Sequence, residues 1–461
     1  MKIEKYKKYK LQRKKRFKKI MIGTSITLLI AAGVFIPTIS AMNQLENGYD
    51  NEINQDKTYE DEDLTIFDKP DFFANSKSYY EYPDNAELNS VIDEIKDINY
   101  QTNNEYFDYY NIYEVPQREI LELRADTDVI FDENIGENTY DWYVGGKVNS
   151  EKLYNKILSN TKNKGIDVNQ NVEEIIKSFC NNLQSCIDLI KSKKADYYFD
   201  AALKNIDELS ISGFDDDIYM GFYDYSTNLL QSDYNYTKEQ NIFDYNIIHE
   251  TMHVLSNKTL SGGNYYANGF NIEDMSTSES PLFLDFITER IVDEYACELC
   301  PNKIVEYDME KYYIDSVCNS TGINYGYVQN SYLDSDLNQI IDAFEPEFRD
   351  FNWVYATLDG LDLACGYGYI PDGCDANKFK TDVCFNSKVN LLKNGYVRII
   401  KDMVNNKITY DKAKSEILKL KQKILVDKYY SNNVENEQIE LNNCIERLDN
   451  IFYRLQYSKS K

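Results

Sequence analysis

Between residues 173 and 191 apolar side chains recur at Ile175, Ile176, Phe179, Leu183, Cys186, Ile187 and Ile190. Three- and four-residue steps place them on one face of an amphipathic helix. The same period returns after about residue 386, where three helices are expected. The first covers 389–404. The second is capped by Thr409 and runs to about residue 429, with Ile417, Leu418, Leu420, Ile424 and Leu425 inward. The third covers 439–455. Shorter apolar runs at 218–223 and 228–231 predict two strands joined by a turn around Ser226 and Thr227. Partial alternation over 118–132 predicts a strand pair. Thr237 to Gln240 has capping-box spacing, and 241–257 holds no Pro or Gly, so a further helix is expected there.

The N-terminus has a different pattern. Residues 2–19 are polybasic, 20–41 are apolar, and 42–64 are acidic and Asn-rich. The excess of positive charge keeps the N-terminus in the cytoplasm and sends the body across the membrane. A signal peptide would end at Ala41, with Pro37 breaking the helix upstream. An uncleaved anchor would keep the 22 residues from Ile20 to Ala41, enough to span a bilayer. Residues 42–64 read as a disordered spacer.

Charge narrows the partners. Lys and Arg number 50 against 77 Asp and Glu, a net of −27 over 461 residues. The first 41 residues carry +10 of their own, so the remainder stands at −37. Such a body repels phosphate backbones, which excludes nucleic acid as a partner. Nine cysteines leave the redox state open, since eight of them could pair in an exported chain. Cys297 and Cys300 form a lone CxxC with no second pair to complete a four-thiolate site. There is no Walker loop, no Gly-x-Gly-x-x-Gly and no Gly-x-Ser-x-Gly.

The chain has two histidines, and both fall in one pentapeptide, His249-Glu250-Thr251-Met252-His253. On a helix, positions i and i+4 share a face, so both imidazoles reach one ion. Glu250 is about 100° round from His249, beside the ion without binding it. A catalytic zinc takes three protein ligands and leaves one position for water. With no third histidine, the last ligand is a carboxylate or thiolate. Ser280 and Pro281 begin a second helix that carries Asp285, Glu289, Asp293 and Glu294. Glu289 lies 36 residues after His253, and Asp293 is one turn further on the same face.

In these elements the sequence resembles the gluzincin branch of the zinc metalloproteases, the thermolysin-like pattern. The likeness covers about 50 residues, from the 240s to the 290s. It implies His249, His253 and Glu289 as zinc ligands, Glu250 as catalytic base, and Asp293 as the acid that holds a ligand histidine, His249, by its outer nitrogen. Asp285 and Glu294 are the other acids on that helix. The pattern also places a downstream histidine near the oxyanion, and this chain has none. A tyrosine would have to serve, with Tyr265, Tyr266, Tyr295 and Tyr355 as candidates.

The expected fold is α+β and zincin-like. A mixed N-terminal lobe with a small sheet, 65–260, ends in the HExxH helix, and a mainly helical C-terminal lobe, 261–461, supplies the third ligand. The expected function is zinc-dependent hydrolysis of peptide bonds in a protein or peptide substrate, outside the cytoplasmic membrane. Residues 20–41 tether the chain to the membrane if they are uncleaved. The competing expectations are a non-catalytic zincin-fold binding protein at the cell surface and a zinc hydrolase acting on cell-wall cross-links.

Overall fold

The computed structural model describes residues 86–98, 140–194, 197, 199–214, 220–259, 265–274, 284–301, 307–367, 376–425 and 434–458. The chain divides into Met1–Asn89 and Ser90–Lys461, and of the first unit only 86–89 are described. The basic N-terminus, residues 20–41, the acidic spacer and the strand pair expected over 118–132 lie outside the described residues. Among the described residues no helix is long and apolar enough to cross a membrane.

The class is α+β, mostly helical, with three small sheets among the described residues. Helix α1 is Ala86–Lys96, followed by the two-residue strands β1 (Tyr143–Val144) and β2 (Lys147–Val148). Helices α2 (Ser150–Asn163) and α3 (Gln170–Lys193) come next. Each starts where an Asn side chain accepts a hydrogen bond from a backbone amide, Asn149 from Lys152 and Asn169 from Val172. The stripe that predicts α3 is its buried face. Helix α4 (Asp200–Glu208) leads into β3 (Ser210–Gly213), β4 (Gly221–Asp224) and β5 (Leu229–Ser232). The order is β3-β5-β4, with β3 parallel to β5 and β4 antiparallel at the edge.

Short α5 (Tyr234–Glu239) precedes α6 (Phe243–Ser256), the helix of the histidine motif. Here the expected capping box is corrected. Asp233 caps α5 by accepting from the Tyr236 amide, and Thr237 lies inside α5 with its hydroxyl on the Asp233 carbonyl. Helix α6 has no side-chain cap and follows Asn241 at φ 57°.

Strands β6 (Asn257–Thr259), β7 (Tyr265–Asn268) and β8 (Asn271–Asp274) form an antiparallel sheet directly after α6. The division drawn after residue 260 passes between β6 and β7, which pair with each other. Helix α7 (Asp285–Leu299) carries Glu289. Ser280 and Pro281 lie outside the described residues; the described helix begins at Asp285, and Asp362 accepts from the Phe286 amide at 2.7 Å.

The remaining elements are helical: α8 (Asp308–Thr321), α9 (Tyr325–Asp334), α10 (Leu337–Ile341), α11 (Phe351–Cys365), α12 (Ala376–Val404), α13 (Tyr410–Leu425) and α14 (Val434–Ser458). Thr409 caps α13, as its position predicts, accepting from the Lys412 amide, but Leu418, expected inward, is exposed while Ile417, Leu420 and Ile424 are buried. The 29-residue α12 packs against α8, α11, α13 and α14.

Candidate metal centre

Helix α6 is packed from several sides, by α3, α4, α7 and strands β4 and β5. Asn246 fixes it to the sheet by donating to the Met220 carbonyl and the Ser232 hydroxyl. The approach to β4 is close. A Cβ on Gly221 would meet the Asn246 side chain at 2.7 Å, so glycine is the residue that admits the helix. His249, Glu250 and His253 are all buried.

The structure brings three expected ligands together. Glu289 Oε2 is 3.2 Å from His249 Nε2 and 3.7 Å from His253 Nε2, and one ligand atom from each residue lies within 4.8 Å of the others. Bonds of about 2.1 Å at tetrahedral angles space ligand atoms about 3.4 Å apart, so this donor set fits zinc. Two imidazoles and a carboxylate also match zinc in chemistry. Among the described residues this is the one such group of His, Cys, Asp and Glu. Asp285 is elsewhere, accepting from Asn271 at 2.7 Å, and Glu294 accepts from Gln329 at 3.3 Å.

Asn268, which the sequence reading missed, sets the tautomer of His253. Its Nδ2 donates to the His253 carbonyl, which fixes the amide so that Oδ1 accepts from His253 Nδ1 at 3.1 Å. A proton on Nδ1 leaves the Nε2 lone pair for a metal. Asn268 is held by the hairpin turn that follows. Gly269 sits at φ 58°, a conformation that favours glycine, and a Cβ there would meet the Tyr332 ring at 2.1 Å. The two turn residues are Gly269 and Phe270, and glycine at the first of them is the hairpin signal the sequence carried.

Asp293 is fully buried on α7, but its partners differ from those expected. Its carboxylate accepts from the Tyr245 hydroxyl and from Arg290 Nη1, and the outer nitrogen of His249 is not among its partners. Its link to His249 runs through Tyr245, whose ring lies 6.1 Å from the imidazole.

The tyrosines separate clearly. The Tyr295 hydroxyl is buried without a hydrogen-bond partner, and Tyr355 stacks on Phe351. Tyr265 and Tyr266 lie on β7, and their side chains are outside those described. Tyr307, which no sequence signal marks, donates to Glu289 Oε2 at 3.2 Å and stacks on His249 with centroids 5.8 Å apart and planes 13° apart. Glu310, one turn along α8, is buried and accepts from the Tyr367 hydroxyl at 2.9 Å.

Electrostatics follow from burial and crowding. Burial raises the Glu250 carboxyl above its usual range; the histidines and an amide bond from Tyr223 work against this. Burial opposes charge on His253, but Glu289 outweighs it and lifts the imidazole to about 9 in the metal-free protein. Glu289 is held well below the carboxylate range, because the two histidines overcome its own burial. Burial raises Glu310 to about 7, and the charges of Glu289 and Asp293 add to the shift.

Compared with protein-family models, curated proteins and solved structures, the chain matches none.

Proposed function

We propose that the protein is a zinc-dependent metallopeptidase with a zincin-like fold that hydrolyses peptide bonds outside the cytoplasmic membrane. The observation that carries this reading is the placement of Glu250: a buried carboxyl on the helix that supplies two of three converging metal ligands. A purely structural metal site has no use for a base at that position.

His249, His253 and Glu289 would hold the ion, with Asn268 keeping His253 in its binding tautomer. Zinc bound there supplies a water of lowered pKa and polarises the scissile carbonyl. Glu250 would serve as the base that accepts a proton from an attacking water and returns it to the leaving amine.

The backbone of Tyr223 on β4 hydrogen-bonds the Glu250 carboxylate, which ties the sheet to the proposed base.

The N-terminal pattern supports export, with residues 20–41 as a signal peptide or an anchor. Metal analysis tests the ligand set. The wild type should hold one zinc per chain and His253→Ala should lose it. A full equivalent retained in that variant would place the metal elsewhere, most directly among the cysteines.

A further inference from the structure

The CxxC at the end of α7 has no part in the metallopeptidase reading, yet the structure gives it a setting. Among the described cysteines, Cys297 and Cys300 are the two that lie one helical turn apart. Both are half-buried thiols, whereas Cys180, Cys186, Cys384 and Cys444 are buried. The helix fixes their spacing, because the Cys300 amide still donates to the Ala296 carbonyl at 2.9 Å. Three residues of α-helix rise about 4.5 Å and put the Cα atoms about 5 Å apart. That is inside the range of about 4.4–6.8 Å that a disulfide spans. The Cβ atoms of such a pair lie about 5–6 Å apart, and a disulfide needs about 3.5–4.5 Å, so closing the bond bends the last turn. Cys300 is the residue that can bend: it caps α7 and has already left helical geometry, at φ −126° and ψ 69°.

Both sulfurs have informative neighbours. Cys297 Sγ donates to Asp293 Oδ1 at 3.9 Å, and the same carboxylate accepts from Tyr245 of α6 and from Arg290. Glu289, Asp293 and Cys297 follow one another at four-residue steps, so they share one face of α7. The thiol is thus joined to the acid one turn beyond the expected metal ligand. Cys300 lies close enough to Cys186 of α3 to push that thiol up further, on top of its burial. Cys186 is fully buried, and a thiol so raised rarely forms the thiolate that attacks a disulfide. The reactive partners are therefore Cys297 and Cys300, with Cys186 beneath them as a bystander.

We propose that Cys297 and Cys300 form a redox switch on α7: a reversible disulfide that weakens metal binding at Glu289. The oxidant is a small-molecule disulfide. The Cys300 thiolate attacks one of its sulfurs, the S–S bond of the oxidant breaks, and one thiolate leaves. The Cys297 thiolate then attacks the Cys300 sulfur of the mixed disulfide and expels the second. The two cysteines lose two protons and two electrons, and the oxidant becomes two thiols. Cys297 then has no proton to donate to Asp293, and the last turn of the helix that carries Glu289 is bent.

The effect on the metal rests on the proposed zinc site, so the bond and the affinity are read separately. Trypsin cuts after Arg290 and Lys303, which places Cys297 and Cys300, and no other cysteine, in one peptide, 291–303. The full chain is equilibrated with oxidised glutathione, remaining thiols are alkylated, and the digest is weighed by mass spectrometry. The peptide should be lighter by two hydrogens and carry no alkyl group, and dithiothreitol should restore both thiols. Zinc affinity, read by chelator competition, should fall about tenfold on oxidation, the low end for a group that supports a metal ligand, and return on reduction. Cys300→Ser should bind zinc as the reduced wild type does and show neither change. A peptide that keeps both thiols, one that holds a glutathione, or a Cys186–Cys300 cross-link would overturn the pairing. An intact pairing with zinc affinity unchanged would overturn the switch. A reduced wild type that binds no zinc would overturn the metal centre, and the switch with it.

Discussion

Asn268 and Asn271 face each other across the two-residue turn of the β7–β8 hairpin, and each holds a different half of the metal centre. Asn268 accepts from His253 Nδ1 on α6. Asn271 accepts from the Leu284 amide at 3.0 Å and donates to Asp285 at the start of α7, four residues before Glu289. One hairpin thus ties the helix that carries two ligands to the helix that carries the third.

Replacing Asn268 with Ala should weaken zinc binding by about 10- to 100-fold, the usual size for a group that orients a ligand histidine. Asn268→Asp keeps the acceptor and should retain most of the affinity. Chelator competition reads both. Equal affinity for wild type and Asn268→Ala would show that the tautomer of His253 is set by something else.

The turn itself is sensitive. Gly269→Ala introduces both an unfavourable φ and a clash with the Tyr332 ring. A loss of about 1–3 kcal/mol is expected, seen as a lower Tm, from overpacking and backbone strain together. An unchanged Tm would mean that the hairpin relaxes without cost.

Acids on α7 should separate by kind of defect. Glu289→Ala removes a metal bond and should abolish tight zinc binding. Asp293→Ala leaves Arg290 buried without its charge partner, which lies at 2.9 Å. Breaking a buried pair costs about 3–5 kcal/mol, so the first effect should be on folding. Thermal melts of the metal-free proteins distinguish the two. If Asp293→Ala melts with the wild type and only zinc affinity falls, the acid acts on the metal ligands alone.

Much of this arrangement was legible in the sequence. The stripe of α3, the Thr409 cap of α13 and the shared helix face of His249 and His253 are local patterns, written in residues a few positions apart. Glu289 was one of four acids on the second helix, with Asp285, Asp293 and Glu294, and only the gluzincin resemblance singled it out. The rest depends on contacts between distant segments. Thr237 has the spacing of a cap, but Asp233 four residues earlier captures the preceding turn first. The bond from Tyr245 to Asp293 spans 48 residues, and the one from Tyr307 to Glu289 joins two helices. No local period encodes either of them. The glycine of the Gly269–Phe270 turn did carry a readable signal, but the consequence for His253 arises only once the hairpin folds back on α6.

Glu310 should leave a mark on stability against pH. Its folded pKa of about 7 is above the ordinary 4.5 of a Glu, so the folded state binds this proton more tightly than the unfolded chain. The stabilisation is complete below about pH 4.5 and is lost as pH rises through 7, for a total on the order of 3 kcal/mol at about 1.4 kcal/mol per unit. Asp293, Glu289 and Tyr367 are the groups that act on it. In the metal-free protein, Glu310→Gln should therefore gain stability relative to the wild type between pH 5 and 8. A difference that stays constant with pH would show that Glu310 is ionised throughout.

The central claim is that Glu250 is a catalytic base beside a zinc held by His249, His253 and Glu289. Cleavage of a peptide library by zinc-loaded wild type and Glu250→Gln, with metal content measured on the same samples, tests it most directly. Gln keeps the shape and removes the basicity. Zinc should remain at one equivalent in both proteins, while cleavage falls by at least about 10²-fold in the variant. A Glu250→Gln protein that holds its zinc and cleaves at the wild-type rate would contradict the account.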